Sequence, residues 1–325
     1  MFTVLVTASS LAASGVSRLQ EAQCRILYAA SEAEVERLLA AEPVDAVISR
    51  TLDLKGPAIH SCASLKVISK HGSGYNNVDV DAATARAIPV FFTPGANAQA
   101  VAELTIGLAI SVARSLPIHS EALHRGGWTR ATAGLELSGR TLGIIGLGRI
   151  GSLVAKLAQA FGMKVIALDP NPEAKSPTVE KVGSLAELLL RAQILTLHCP
   201  LTRETRGMIG AAELALLPRD AIVLNAARAG IVDEMALAEA LGSKHLFGAA
   251  IDNFEEEPLP AGHPFLSLPN MVMTPHIGGS TGEALDTVAV MAAQNALAFL
   301  KGEPVDERCC VNPSVLSRKT TVTAL

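Results

Sequence analysis

A glycine motif in the middle of the chain, Gly-Leu-Gly-Arg-Ile-Gly at 146–151, constrains the fold more than any other feature of the sequence. The apolar run 141–145 before it predicts a short buried strand, and residues 149–161 carry apolar groups at helical spacing. A second apolar run, 164–168, ends in Asp169. The order strand, glycine turn, helix, strand and acid is typical of a parallel α/β unit that binds a dinucleotide.

Each glycine of the motif has a separate expected task. Gly146 allows the tight turn, Gly148 lets the backbone approach a pyrophosphate, and Gly151 lets the helix pack closely on the strand. The helix N-terminus then faces the phosphate charge. Asp169 lies 18 residues beyond Gly151, where a carboxylate accepts hydrogen bonds from an adenosine ribose diol. A carboxylate there repels the 2′-phosphate of NADP, and residues 170–173 contain no arginine to hold one, so NAD is the predicted cofactor.

Length and composition indicate two domains with aliphatic cores. A chain of 325 residues is long for one hydrophobic core. Hydrophobic residues make up 49% of it and aromatic residues only 3%, which suits parallel sheets buried on both faces. The net charge is −4 and the pI is near 6.1, without blocks of like charge. We therefore expect neither a nucleic-acid partner nor a membrane-surface partner.

The cysteines and the apolar segments favour a soluble cytoplasmic protein. The five cysteines are scattered and form no C-x-x-C pair, so free thiols in a reducing compartment are expected, with the adjacent Cys309 and Cys310 exposed. No group of histidines and cysteines has metal-ligand spacing. The apolar run 2–7 lacks a basic flank and is better explained as a first strand than as a signal peptide. The apolar stretch 104–113 is too short to cross a bilayer.

Strand-like runs alternate with helical stretches on both sides of the glycine motif, which predicts two doubly wound α/β sheets of Rossmann or flavodoxin type. The runs are 3–8, 24–29, 44–49, 66–69 and 90–93 before it, and 164–168, 194–198, 221–225, 246–251 and 271–274 after it. Two long helical stretches, 98–124 and 282–300, lie between the units, and Pro117 should kink or break the first. If the second returns the chain to the first unit, that unit contains both ends of the sequence.

Three titratable residues, Arg228, Glu257 and His276, follow three successive predicted strands after the motif. Loops beyond the carboxyl ends of parallel strands meet in one crevice, so these side chains should lie close together. Taken singly, Arg228 could be a surface ion pair, Glu257 a solvated member of the acidic run 255–257, and His276 a hydrogen-bonded loop histidine. Together they predict a catalytic group.

Their chemistry suits the reduction of a 2-keto acid. Arg228 can hold a carboxylate and polarise a ketone oxygen through its two-pronged guanidinium. His276 can donate a proton near neutral pH as hydride arrives. Glu257 beside it would orient the ring and favour the imidazolium.

At this point the chain resembles the D-isomer-specific 2-hydroxyacid dehydrogenases, most closely their phosphoglycerate dehydrogenase-like members. The resemblance covers nearly all of residues 45–313. The matching segments are 70–79, 93–97, 101–103, 146–151, 198–202, 225–237, 252–258 and 274–279.

The resemblance implies a split substrate domain, 1–97 and 283–325, around an inserted NAD domain, 98–282, and a homodimer formed through the NAD domains. It also implies the catalytic roles of Arg228, Glu257 and His276. The residues expected to bind the cofactor are Gly146, Gly148, Arg149, Ile150, Gly151, Asp169, His198, Pro200, Thr205, Ala226, Arg228, Asp252, His276 and Gly278. The residues expected to bind the substrate are Arg50, Lys70, Gly72, Ser73, Gly74, Asn97, Arg228 and His276.

Within these sets, Asp252 would bind the nicotinamide carboxamide, and the backbone amides of 72–74 would bind the substrate carboxylate. Arg50 matches a family position that can reach the far end of a phosphorylated substrate. Lys70 begins the expected substrate loop, at the end of the next strand along the chain. Two cations there would suit a phosphate, a sulfonate or a second carboxylate. The alternative is that both are solvated charges at strand ends.

The predicted function is an NAD-dependent D-2-hydroxyacid dehydrogenase, acting on 3-phosphoglycerate and phosphohydroxypyruvate or on another acid with an anionic tail. An alternative is a glyoxylate/hydroxypyruvate reductase. Another class, an NAD(H)-sensing corepressor-like interaction protein, stays open because fold does not fix function. A formate dehydrogenase-like enzyme is disfavoured, because such enzymes typically carry glutamine in place of Glu257.

Overall fold

The structure is a computed structural model that describes residues 1–128, 130, 134–171 and 178–317. Residues 172–173, which belong to the segment after Asp169 that contains no arginine, lie outside the described residues. The chain divides into two compact units. Unit 1 consists of Met1–Asn97 together with the chain from Ser280 onward, and unit 2 is the continuous segment Ala98–Gly279.

Unit 1 is a five-stranded parallel sheet with helices on both faces. Its strands are β1 (Thr3–Val6), β2 (Arg25–Tyr28), β3 (Ala46–Ser49), β4 (Val67–Lys70) and β5 (Val90–Phe91), in the order β2-β1-β3-β4-β5. The helices between them are α1 (Ala13–Glu21), α2 (Glu32–Ala41), α3 (Gly56–Ser61) and α4 (Val80–Ala85). Ser31 caps α2, because its side chain accepts a hydrogen bond from the Glu34 N–H.

Unit 2 is a seven-stranded parallel sheet. It opens with helices α5 (Ala98–Ala113) and α6 (Leu116–His124). Its strands are β6 (Thr141–Ile145), β7 (Lys164–Leu168), β8 (Glu180–Lys181), β9 (Ile194–Leu197), β10 (Ala221–Asn225), β11 (Leu246–Ile251) and β12 (Met271–Met273). Helices α7 (Arg149–Ala160), α8 (Leu185–Arg191), α9 (Ala211–Leu216) and α10 (Glu234–Gly242) connect them.

The strand order in unit 2 is β12-β11-β10-β9-β6-β7-β8, so the winding direction reverses between β6 and β9. Ligands of open α/β sheets bind beyond the carboxyl ends of the strands at such a reversal. The two doubly wound parallel sheets confirm the predicted fold class.

The chain returns to unit 1 through α11 (Gly282–Lys301) and ends its described part with α12 (Ser314–Ser317). Small residues let α11 lie close to its neighbours in this unit. A Cβ added to Gly15 of α1 would lie 2.7 Å from the Cβ of Ala289. Ala292, Ala293 and Ala296 continue the same buried stripe, which packs with Val4, Val6 and Ile48 of the sheet.

The expected break near Pro117 is confirmed. Helices α5 and α6 are bent by 66° about Ser115, whose φ of 48° is left-handed, and Pro117 lies in the first turn of α6. Among the described residues no single helix is long and apolar enough to cross a membrane. Helices α5 and α6 are together long and apolar enough by length and composition, but they are bent relative to each other.

Two sequence-based expectations differ from the structure. The edge strand β8 was not predicted, since it is too short to show a clear periodicity. Cys309 and Cys310 are buried rather than exposed, at 5% and 7% exposure. The reason is that Cys310 forms an antiparallel bridge with Phe91 of β5, which places both thiols in the core of unit 1.

Candidate active site

The glycine motif forms the turn between β6 and α7, and close packing explains two of its glycines. Gly146 has a φ of 94°, and a Cβ there would lie 2.7 Å from the carbonyl carbon of His198. A Cβ on Gly151 would lie 2.0 Å from the carbonyl oxygen of Gly146. A side chain at either position therefore overlaps backbone that cannot move aside independently.

Gly148 is different, because an added Cβ would meet nothing within 4 Å. It is the N-cap residue of α7, and no side chain caps that helix end. An open backbone at an uncapped helix N-terminus fits a pyrophosphate, since amide groups and the helix dipole both attract the anion. The residues present thus fit a dinucleotide phosphate.

Asp169 lies at the end of β7, beside the same turn. Its Oδ2 accepts a hydrogen bond of 2.6 Å from the Leu147 N–H, and its Oδ1 accepts one of 2.8 Å from the Asn171 N–H. Each carboxylate oxygen has two lone pairs, so both keep acceptor capacity for a ribose hydroxyl. Burial, with a smaller contribution from the charge of Asp169, raises the pKa of the nearby Cys199 thiol to about 11.

The other expected cofactor residues of unit 2 follow strands β9 and β10. His198 follows β9, where its Nε2 lies 3.0 Å from the Thr196 hydroxyl and burial lowers its pKa to about 3. Its Nδ1 is buried and lacks a hydrogen-bond partner among the described residues. Thr205 donates its hydroxyl to the Pro200 carbonyl at 2.7 Å, and Ala226, just after β10, is buried.

Glu257 and His276 are in direct contact. The Nδ1 atom of His276 lies 3.1 Å from both carboxylate oxygens of Glu257. The Phe254 N–H also donates to Glu257 Oε1 at 3.1 Å, which fixes the direction of the carboxylate. An Nδ1–H held in this way leaves the Nε2 of His276 as the nitrogen that can exchange a proton with a ligand.

Arg228 follows β10 and is partly buried. Its Nη1 donates to the Ala227 carbonyl at 2.5 Å, and the Asn225 side chain donates to the Arg228 carbonyl at 2.9 Å. Burial lowers the pKa of the Arg228 guanidinium, and the charge of Glu257 acts in the opposite sense. An arginine nevertheless stays protonated, so the site combines a fixed cation with a histidine and a carboxylate.

Asp252, at the end of β11, holds the loop that carries His276. Its carboxylate accepts hydrogen bonds from the Thr274 hydroxyl at 2.6 Å and from the Ile277 and Gly278 N–H groups at 2.8 Å each. His276 has a left-handed φ of 53° within this loop. The resemblance indicated a role toward the cofactor, whereas the local contacts add a role in shaping the histidine loop.

In unit 1, Arg50 and Lys70 lie at the carboxyl ends of β3 and β4. Arg50 donates from Nη1 to the Ser10 carbonyl at 2.9 Å. The Lys70 ammonium donates to the Arg50 carbonyl, and Lys70 is only 7% exposed. Lys70 is therefore not the solvated strand-end charge of the alternative explanation. Burial, followed by the charge of Arg50, lowers the pKa of the adjacent His71 to about 4.

The loop after β4 carries Gly72, Ser73 and Gly74. The Gly72 N–H donates to the Thr93 hydroxyl at 3.0 Å, so this amide is engaged within the unit. The Ser73 hydroxyl lies 3.2 Å from the side-chain oxygen of Asn97 and donates to it. Two of the expected substrate residues, Ser73 and Asn97, are thus in contact with each other.

Several residues that shape these loops were not predicted from the sequence. Their partners are distant in the chain, and an isolated amide or acid carries no periodic signal. They are Asn77, which donates to the Leu52 carbonyl, Asn253, whose buried side-chain oxygen has no partner among the described residues, Thr93, Thr274, Glu234 and His263. No group of histidine, cysteine and acidic side chains among the described residues could hold a metal ion.

Fold and glycine loop together define a dinucleotide-binding α/β protein with a reversal of strand order at the loop. Residues 106–278 match the family model of the D-isomer-specific 2-hydroxyacid dehydrogenase NAD-binding domain. The chain belongs to the D-isomer-specific 2-hydroxyacid dehydrogenase family, and NAD is the cofactor of that domain.

The chain is similar over most of its length to several characterised proteins. It is 42% identical to D-3-phosphoglycerate dehydrogenase of Methanocaldococcus jannaschii over 88% of this chain, although it spans only 56% of the length of that relative. It is 38% identical to glyoxylate reductase of Thermococcus litoralis, covering 80% of this chain and 82% of that one. A NAD-dependent formate dehydrogenase of Staphylococcus aureus, solved with NAD, is similar with a TM-score of 0.85, at 27% identity, over 96% of this chain and 99% of that one.

Proposed function

We propose that the protein is an NAD-dependent dehydrogenase of D-2-hydroxy acids. The observation that carries the proposal is the contact between His276 and Glu257, 3.1 Å long, in the loops that follow the strand ends beside Arg228. NAD(H), when bound, supplies or accepts the hydride. The residues of the chain then have to bind the acid and move one proton.

In the reductive direction the proton comes from the Nε2–H of a charged His276. Glu257 holds the Nδ1–H of the same ring, which orients the imidazolium and supplies its counter-charge. Arg228 binds the substrate carboxylate and polarises the ketone oxygen as negative charge develops there. In the oxidative direction neutral His276 takes the hydroxyl proton.

For the substrate we propose a 2-hydroxy acid with an anionic tail, such as 3-phosphoglycerate. Arg50 supports the choice because its guanidinium is held by a backbone carbonyl rather than by a carboxylate. Arg50 makes no ion pair within the part of the chain that the structure describes. The named phosphoglycerate dehydrogenase relative supports the same choice.

The similarity to a glyoxylate reductase keeps a glyoxylate/hydroxypyruvate reductase as the second candidate. The similarity to a formate dehydrogenase does not carry a third candidate, because the contact between Glu257 and His276 supplies acid–base chemistry that formate oxidation does not require. Neither named curated relative is a corepressor, and we do not pursue that alternative.

We further propose that unit 1 binds the substrate tail, that unit 2 binds NAD, and that two copies associate through unit 2 in the cytoplasm. Helix α6 supports the dimer, because none of its residues is buried and Leu116 and Leu123 are 47% and 55% exposed. Trp128, shortly after the helix, is 78% exposed. The five free cysteines support a reducing compartment. Light scattering of wild type and Leu123→Glu, at equal concentrations, tests the dimer.

The test of the activity is the change in NADH absorbance with a panel of 2-keto acids. Phosphohydroxypyruvate, sulfopyruvate, hydroxypyruvate, glyoxylate and pyruvate should be compared side by side, with NADPH in place of NADH as the cofactor control. We expect turnover with NADH and the highest kcat/KM for a substrate with an anionic tail. Absence of turnover with every 2-keto acid would refute the proposal, as would faster NAD reduction by formate than by any hydroxy acid.

A further inference from the structure

The acidic loop between β11 and β12, residues 252–270, is held by a half-buried residue of another element. The Glu255 N–H donates a hydrogen bond of 2.9 Å to Oε1 of Glu234. Glu234 is the first residue of α10, and its side chain is only 11% exposed. A loop that carries three consecutive glutamates is thus fixed by a fourth, through a backbone amide rather than a counter-charge.

The second oxygen of the same carboxylate binds His263, near the far end of the loop. Oε2 of Glu234 lies 3.0 Å from Nε2 of His263, whose side chain is 13% exposed. The Phe265 N–H donates to Nδ1 of His263 at 3.3 Å, so Nδ1 is the unprotonated nitrogen. The ring proton therefore sits on Nε2 and is donated to Glu234.

These two contacts restrain the segment that carries Glu257, the residue in contact with His276. The Phe254 N–H orients Glu257, and the next amide along the chain, that of Glu255, is the one that Glu234 holds. Fixing the peptide at 255 therefore fixes the neighbouring amide that directs the Glu257 carboxylate. Holding His263 as well leaves the intervening segment little freedom to swing away.

We propose that Glu234 and His263 are positioning residues that hold Glu257 against His276. The inference rests on the proposed function only in taking Glu257 and His276 as the acid–base pair. Its expected signature is a loss of turnover and an altered pH profile without a loss of cofactor binding.

Glu234→Gln is the first test, because it keeps the size of the side chain but leaves one acceptor oxygen for two donors. We expect kcat for ketoacid reduction to fall by roughly tenfold, since small misplacements of catalytic groups cost one to two orders of magnitude. The KM for NADH should change by less than about twofold. The pH profile of reduction should also differ from that of wild type, because a displaced Glu257 no longer supplies the counter-charge of the imidazolium. Glu239→Gln, at an exposed acid on α10, is the matched control and should behave as wild type.

His263 allows a sharper test with two isosteric variants. Glutamine places an amide N–H near the position of Nε2 and can still donate to Glu234, whereas asparagine mimics Nδ1 and keeps only the contact with Phe265. We expect His263→Gln to keep kcat within about threefold of wild type and His263→Asn to resemble Glu234→Gln. A merely structural role in capping the turn after His263 would give the opposite order.

The outcomes separate the inference from the function. A folded wild-type protein that reduces no 2-keto acid contradicts the proposed function itself. An active wild type with wild-type kcat and pH profile in both Glu234→Gln and His263→Asn overturns the positioning role, as does equal loss in His263→Gln and His263→Asn. Circular dichroism and NADH fluorescence check that each variant is folded and binds cofactor. If Glu234→Gln does not fold, the two His263 variants decide the matter.

Discussion

The strand ends of unit 2 combine carboxylates with the cation Arg228, whereas Arg50 and Lys70, at strand ends of unit 1, are both cations. In unit 2, carboxylates accept hydrogen bonds from backbone amides, as Asp169 does from Leu147 and Asp252 does from Gly278. In unit 1, cations donate to backbone carbonyls, as Arg50 does to Ser10 and Lys70 does to Arg50. Amide-bound carboxylates shape loops and hold a proton donor, whereas carbonyl-bound cations keep their positive charge available for an anion. We infer that the same α/β layout serves two kinds of chemistry.

The largest effect is expected at His276, the proposed proton donor in unit 2. His276→Ala should lower kcat for ketoacid reduction by about 10²–10⁴-fold, the usual contribution of a general acid. NADH affinity, measured by fluorescence, should stay within a few fold of wild type, because the glycine turn that would bind the pyrophosphate is untouched. Wild-type turnover in this variant would remove His276 from the mechanism.

The second prediction compares two glycines of the same turn. Gly146→Ala should destabilise the protein by about 2–4 kcal/mol, because a side chain at a φ of 94° is strained and overlaps the His198 backbone. Gly148→Ala is the matched control and should fold normally, since its Cβ meets nothing. Chemical denaturation measures the free energy of unfolding of both. NADH titration should then show weaker binding in Gly148→Ala, and unchanged binding would argue that the pyrophosphate does not approach that residue.

The third prediction concerns stability in acid. His198 has a pKa of about 3 in the folded protein, below its ordinary 6.5. Between those values the unfolded chain takes up a proton that the folded chain does not, so stability falls as pH drops below 6.5. From pH 7 to pH 5 the wild type should lose about 2 kcal/mol more of its unfolding free energy than His198→Gln does. Equal losses in denaturation curves at the two pH values would mean that the ring is accessible to protons.

The smallest effect is expected in unit 1. Arg50→Ala should lower kcat/KM for phosphohydroxypyruvate by about tenfold or more, because a charge-assisted contact contributes about 1.5–3 kcal/mol. Glyoxylate, which has no tail, should be reduced at the wild-type rate. A comparable loss with both substrates would assign Arg50 to the architecture of unit 1 rather than to substrate choice.

Much of this molecule could be predicted from the sequence, and the limits have a physical cause. The strands and the glycine turn carry local signals, namely the spacing of apolar residues and the glycines themselves. The trio Arg228, Glu257 and His276 could be found because each residue follows a strand. The contact of Glu257 with His276 matches that prediction. The contacts of Glu234 with residues 255 and 263 depend on how separate elements pack, and the burial of Lys70 depends on its neighbours in space. Such pairings have no signature in a single sequence.

The return of α11 to unit 1 has a consequence for how the chain is made. On the ribosome the first five strands emerge before all of unit 2, and the helix that covers one of their faces follows only after residue 279. At ordinary synthesis rates that delay lasts roughly 10–40 s. During it, Val4, Val6 and Ile48 lack the alanine stripe of α11 that buries them in the finished protein. One face of the nascent sheet therefore stays uncovered by α11 over that interval, and moving α11 to the front of the gene by circular permutation would shorten it.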